Sequence, residues 1–268
     1  MHESAETDDY PVRRTAARPP ADTRRGAIVV GASSGMGAAL VRRLVREGYT
    51  VGAVARRGDL LESLRAELSR EPGRVVPLAH DVCDWRGVPA AFTELMGQVG
   101  TLELFIYAAG VMPAVGPEEY NTEKDQQQVE VNLLGAIAWC NQAAELMLSQ
   151  RSGTIVGIGS IAGDRGRKGN PAYHATKAGF ATYLESLRNR LSAVGVHVLT
   201  VKPGFIDTPM TQGLDGLFWV ISADKAAETI LGSARRRFWN TRYVPLRWWA
   251  VATVIKNIPS FVFKRMSI

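Results

Sequence analysis

Tyr173 and Lys177 stand four residues apart where a helical pattern begins at Ala172, so both side chains lie on one face. A cation beside a phenol favours the phenolate, which would let Tyr173 exchange a proton nearer neutrality than the ordinary tyrosine value of about 10. Ser160 lies upstream, where the short apolar run of Ile155, Val156 and Ile158 ends, and there its hydroxyl can hold a substrate oxygen. A loop rich in Gly, Asp, Arg and Lys separates the serine from the tyrosine. The pair alone would also suit a solvated helix surface. The order of the elements around it gives it weight.

Those elements begin with residues 27–31, AIVVG, a core strand that runs into Gly31-Ala-Ser33-Ser34-Gly35-Met36-Gly37 and then into the apolar-faced helix AALVRRLVREG. Glycines at this spacing allow a tight turn and a close backbone approach, and the helix N-terminus can receive a pyrophosphate, so the loop reads as a dinucleotide site. A second strand, TVGAVA, ends at Arg56-Arg57, where a site for NAD would place an acid near the ribose 2′-hydroxyl. Asp59, three residues on from Arg56, reads as the cap of the next helix. Arg56 and Arg57 are then free to meet a 2′-phosphate, and the expected cofactor is NADP(H); the plainer reading is two surface arginines after a strand.

With Ser160, Tyr173 and Lys177 in this order behind a glycine loop, the chain resembles the classical short-chain dehydrogenase/reductase family over roughly residues 26 to 215. The resemblance implies a Rossmann-type, doubly wound parallel sheet of seven strands in a three-layer α/β/α arrangement, with strand order 3-2-1-4-5-6-7. It implies hydride transfer between NADP(H) and a secondary alcohol or ketone, with Tyr173 as acid/base, Ser160 holding the oxygen, and Lys177 tuning Tyr173 and engaging the nicotinamide ribose. Asn132, in Val-Asn-Leu within a long helix expected from about Asp125, matches the family asparagine that positions a water and the lysine. Asp81 and Val82 after strand RVVPLA match the adenine flank; His80 reads as a strand-end residue. Ala108, Ala109 and Gly110 keep the small surface against the cofactor, while Tyr107 departs from the family's usual asparagine. Pro203, Gly204, Ile206 and Thr208, after strand VHVLTVK, match the nicotinamide support. No metal ligand is implied.

Residues 209–221 read as a substrate lid, with Met210, Leu214, Phe218 and Trp219 making it apolar, so an apolar or lipid-linked small molecule is the expected substrate. At 268 residues and 46% hydrophobic composition, one α/β domain with a full core accounts for the chain. The expected division is a disordered leader over 1–25, a catalytic domain over 26–246 and a basic apolar tail over 247–268. Two cysteines, Cys83 and Cys140, make no disulfide framework and suit a reducing, cytoplasmic setting. The net charge of +6 gathers in the tail region, where the residues from Arg235 onward include no acid. With no base-reading module in view, that charge suits an anionic surface better than nucleic acid.

In the tail, WWAVATVI would present Trp248, Val251, Ala252 and Ile255 on one helical face, with Pro259 as its stop. The run is too short to span a bilayer and suits peripheral contact with an anionic membrane. The other uses are a cover over the cleft or a clamp in a homo-oligomer, for which the helix FATYLESLRNRLSAVG also offers a face. The tail loosely resembles that of actinobacterial reductases of polyprenyl-phosphate keto-sugars. The rival to catalysis is a Rossmann module that binds NADP(H) to regulate a partner, a reading that leaves the joint presence of Ser160, Tyr173, Lys177 and Asn132 unexplained.

Overall fold

A computed structural model of the chain describes residues 25–266 apart from 117, 214 and 215. The expected leader, except Arg25, and Leu214 of the expected lid lie outside the described residues. Strand β1 (Gly26–Val30) is buried at every position, as are β2 (Thr50–Ala55) and, further on, β5 (Thr154–Ile158). Such continuous apolar runs suit a parallel sheet covered on both faces. Helix α1 (Gly35–Arg46) links β1 to β2, α2 (Gly58–Glu67) leads to β3 (Arg74–Ala79), and α3 (Val88–Val99) leads to β4 (Leu102–Tyr107). Two helices, α4 (Thr122–Val129) and α5 (Gly135–Gln150), then run on from each other through one π-helical turn, Glu130–Leu134, before β5.

Helix α6 (Pro171–Leu191) follows β5, and β6 (His197–Pro203) leads to a small parallel pair, β7 (Ile206–Asp207) with β8 (Ile221–Ser222). Helix α7 (Ala223–Arg236), strand β9 (Thr241–Val244), helix α8 (Trp248–Asn257) and a single turn, α9 (Ser260–Phe263), complete the chain. The main sheet has seven parallel strands in the order β3-β2-β1-β4-β5-β6-β9, the doubly wound arrangement expected, with β9 as its seventh strand. Alternate side chains divide the core: Ala27 and Val29 pack with α1, α2 and α7, and Ile28 and Val30 with α3, α5 and α6. The chain order reverses on either side of β1, so the crevice at its carboxyl end is where such a sheet takes a ligand.

Two local expectations change. Asp59 is not the cap of α2; Arg57 occupies that position without a side-chain cap, and Asp59 sits in the first turn, where a carboxylate still favours the helix dipole. The helix carrying Asn132 begins at Thr122 and is interrupted by the π turn, which no local composition announces.

The tail packs on the domain. Trp248, Ala252 and Ile255 are buried and Val251 half-buried, the face expected from their spacing, and Trp248, Val251 and Ala252 cluster with Ile161, Phe205 and Tyr243. Several of the region's basic side chains have partners in the fold. Lys256 pairs with Asp164 at 2.7 Å, Arg235 with Glu47, and Arg237 donates to the carbonyls of Gly153 and Gly195. Arg247 donates to the Trp219 carbonyl and lies over its ring. Packing therefore explains part of a charge excess that composition alone assigns to a surface. No helix among the described residues is long and apolar enough to cross a membrane.

Candidate active site

The strand-to-helix turn after β1 is shaped by contacts that only glycine tolerates. Gly31 has φ 89°, and a Cβ there would come within 2.4 Å of the Ala109 nitrogen; one on Gly37 would come within 2.0 Å of the Gly31 carbonyl oxygen. The turn lies along a cleft of about 600 Å³ lined by Gly31, Ser33, Ser34, Gly35, Met36 and Gly37. Arg56, Arg57, His80, Asp81 and Val82 line it next, followed by Ala108, Ala109, Gly110 and Thr208. Arg57 donates to both loop serines, at 2.9 Å to Ser33 Oγ and 3.0 Å to Ser34 Oγ, and Arg56 lies 3.7 Å from Asp81. A glycine turn and a helix N-terminus fit the pyrophosphate of a dinucleotide, and the two arginines expected to be free beside them already have partners, Arg57 in the serines and Arg56 in Asp81. His80 lines the cleft too, a placement its strand-end reading did not anticipate.

A second cavity of about 320 Å³ adjoins the cleft, sharing Met36, Met112, Thr208 and Met210 with it. Ser160 and Tyr173 are in its wall, with Pro203, Gly204 and Ile206. Ser160 caps the 3₁₀ turn Ile161–Asp164 by accepting from the Ala162 N–H at 3.0 Å. Tyr173 is set by the start of α6: Asn170, with φ 48°, accepts from the Tyr173 N–H at 3.3 Å, while its Nδ2 donates to the Pro113 carbonyl at 2.9 Å. Asn170 thus joins α6 to the loop across the cavity. Its Asn-Pro pairing, a cap followed by a proline in the first turn, is the sequence signal by which it could have been found.

Lys177 is fully enclosed and donates to the Ile158 carbonyl at 3.3 Å. A Cβ on Gly110 would lie 3.3 Å from both Lys177 Nζ and Asn132 Oδ1, so the missing side chain at Gly110 leaves room for both groups. Asn132 is buried in the π turn and clasps Val111, accepting from its N–H at 2.8 Å and donating to its carbonyl at 2.9 Å, with Thr176 Oγ1 at 3.4 Å. π turns recur at functional sites because they free backbone groups from the regular ladder. Tyr107 lies in the core rather than in the cleft, donating at 2.6 Å to the carbonyl of Val131 beside Asn132. The departure at position 107 therefore bears on the π turn.

Burial raises Tyr173 above the ordinary tyrosine value, opposed by its hydrogen bond with Ser160. That direction is opposite to the one expected from a neighbouring cation, because Lys177 Nζ lies 5.7 Å from the ring centroid and desolvation outweighs it. Burial also brings Lys177 down to about 8. A depressed lysine costs stability while it stays charged: the penalty is full below about pH 8 and is relieved as pH rises to the ordinary lysine value. Lys177→Met is accordingly expected to melt no lower than the unaltered protein at pH 7, with a gain of up to about 3 kcal/mol. Thermal unfolding at pH 7 and pH 10 checks this, the gain shrinking at the higher pH.

Of the expected lid, Met210 lines both cavities. Phe218 and Trp219 do not; they are half-exposed and pack with Phe205 around Trp248, at centroid distances of 5.0 and 5.5 Å from it. Trp248 lies so close beneath Gly204 that a Cβ there would come within 2.0 Å of its indole nitrogen. This aromatic cluster ties the tail to the loop after β6.

Residues 25–216 match the model of the short chain dehydrogenase family. An uncharacterised oxidoreductase of Mycobacterium tuberculosis is 30% identical over 87% of this chain and 92% of its own. A 3-oxoacyl-[acyl-carrier-protein] reductase of Bos taurus is 33% identical over 70% of this chain and 78% of its own. Among solved structures, that of gox2181 superposes with a TM-score of 0.76 at 25% identity, covering 84% of this chain and 96% of that one.

Proposed function

The chain belongs to the short-chain dehydrogenase family, NAD(P)(H)-dependent oxidoreductases of CH–OH groups, and on that premise we propose that it interconverts a ketone and a secondary alcohol with NADP(H), using Tyr173 as the acid/base. The observation that carries this reading is the junction of the two cavities: Ser160 and Tyr173 line the smaller one, which shares the wall of Met36, Met112, Thr208 and Met210 with the glycine-lined cleft. The cofactor, when bound along that cleft, supplies or takes up the hydride. Gly31 through Gly37, Asp81, Val82 and Ala108 through Gly110 would hold it, with Lys177 at the ribose and Ile206 and Thr208 at the nicotinamide end.

In the reducing direction the substrate oxygen sits between Ser160 Oγ and Tyr173 Oη. Burial keeps Tyr173 protonated at neutral pH, which suits a proton donor. Lys177 stands behind it as the source from which its proton is replaced, and Asn132 fixes the loop at Val111 that closes this side. The apolar walls from Met36, Met112 and Met210 exclude water and favour an apolar or lipid-linked ketone. The bovine relative's name, a reductase of oxoacyl carrier protein, is in keeping with a substrate of that class. Contact with an anionic membrane belongs to the same reading, supported by exposed Trp249, Val254, Phe261 and Val262 beside the basic residues Lys264 and Arg265. So does a homo-oligomer, supported by exposed Val129, Leu134 and Leu148 along α4 and α5.

The NADP(H) preference rests on Arg56 and Arg57 in the cleft and the absence of an acid at the end of β2. A charge-assisted bond to a partly exposed phosphate is worth about 1.5–3 kcal/mol, so Arg56→Ala or Arg57→Ala should weaken NADPH about ten- to a hundredfold and leave NADH nearly unchanged. Fluorescence titration of both cofactors is the test. Equal losses for the two, or tighter NADH binding by the unaltered protein, would show that neither arginine reads the phosphate.

A further inference from the structure

The loop between Ser160 and Tyr173 carries three charged side chains in a four-residue stretch, and two of them are committed to the fold. Asp164 gives one carboxylate oxygen to Lys202 at 2.5 Å and Lys256 at 2.7 Å, and the other accepts from the Tyr243 hydroxyl at 2.9 Å. Arg165 donates to the carbonyls of Ile255 and Ile258 at the end of α8, at 2.6 and 2.5 Å, and lies over the Phe263 ring. Arg167 is different. It lines the smaller cavity with Ser160 and Tyr173, its Nε is enclosed without a hydrogen-bond partner, and it has no ion pair among the described residues. No carboxylate is among the residues lining that cavity, and the nearby Asp164 has its oxygens occupied.

An enclosed Nε–H with no partner is costly unless a ligand completes it, and the planar fork of the half-buried Arg167 side chain suits a carboxylate or a phosphate. Much of the remaining wall is apolar, from Met36, Met112, Met210, Ile161 and Phe205, with Asn170, His174, Thr208 and Thr211 as its other polar side chains. We propose that Arg167 receives an anionic group of the substrate, so that this cavity takes an amphiphilic anion, a ketone or alcohol with an apolar body and a carboxylate or phosphate. The location of the reacting carbonyl rests on the function proposed above; the anion preference of the cavity does not. Sequence reading left Arg167 among the polar residues of a loop and gave no reason to separate it from Arg165.

Isothermal titration calorimetry on the full chain, saturated with NADP⁺ so that Arg56 and Arg57 are already engaged, tests this with three probes of equal chain length: octyl phosphate, octanoate and octanol. At least one anion should bind about ten- to a hundredfold more tightly than octanol, and comparison of the two shows whether phosphate or carboxylate is preferred. Arg167→Gln should abolish that advantage and leave octanol within about twofold, and Arg167→Lys should recover part of it. Anions that bind no better than octanol to the unaltered protein, or equally well to a folded Arg167→Gln, would overturn the proposal. If Arg167→Gln does not fold, the contrast between anions and octanol in the unaltered protein and its size in Arg167→Lys still decide. Calorimetry needs no turnover, so a protein that prefers the anion yet reduces no ketone keeps this inference and loses the oxidoreductase mechanism.

Discussion

Tyr173→Phe is expected to slow single-turnover oxidation of bound NADPH by a ketone about a hundredfold or more, with NADPH affinity within about twofold of the unaltered protein. The substitution keeps the ring, which is nearly fully buried beside Ser160, and removes only the hydroxyl. Because the phenol is raised by burial, its proton is present at neutral pH in the protein that it is removed from, and the loss is one of proton donation rather than packing. Stopped-flow absorbance of NADPH separates the two effects. A rate unchanged by the substitution would take Tyr173 out of the mechanism and restore the reading of a cofactor-binding module.

The second large effect is expected in the tail. Trp248 is 2% exposed, packs with Phe205, Phe218 and Trp219, and lies against Gly204, whereas its neighbour Trp249 is 57% exposed. Trp248→Ala should destabilise the chain by about 3–5 kcal/mol, the cost of a large buried ring and the cavity it leaves. It should also lower activity, because α8 holds the loop of Ser160 through Asp164 and Arg165. Trp249→Ala should leave the unfolding free energy within about 0.5 kcal/mol of the original and reduce sedimentation with anionic vesicles. Chemical denaturation and vesicle sedimentation of both variants check the pair. Equal stability losses would mean that the helix face is misassigned, and full vesicle binding by Trp249→Ala would remove that side chain from membrane contact.

The strands were readable because a parallel sheet covered on both faces demands continuous apolar runs, and β1, β2 and β5 supply them, whereas their order came with the family resemblance. Tyr173 and Lys177 were readable through helical spacing. The face of α8 was readable for the same reason, but what covers it was not: periodicity shows that Trp248, Ala252 and Ile255 point together and is silent on whether lipid, a partner or Tyr243 receives them. The π turn at Asn132 has no compositional mark, and its neighbours Tyr107 and Val111 come from distant parts of the chain. Phe218 and Trp219 show the limit of reading apolar loops as lids, since their rings are spent on Trp248 rather than on the cavity. The direction of the Tyr173 shift likewise depended on burial, which helical spacing alone does not give.

The most direct test of the proposed chemistry follows the hydrogen itself. The full chain is incubated with NADPH carrying deuterium at both C4 positions and a mixture of 3-oxooctanoate, its methyl ester and cyclohexanone, and the products are analysed by mass spectrometry. The account predicts an alcohol with one deuterium on the carbinol carbon, formed at least about a hundredfold more slowly by Tyr173→Phe and disfavoured when NADH replaces NADPH. NADPH bound in the cleft with no deuterated alcohol from any of the three ketones, or the same labelled alcohol formed equally fast by Tyr173→Phe, would contradict it.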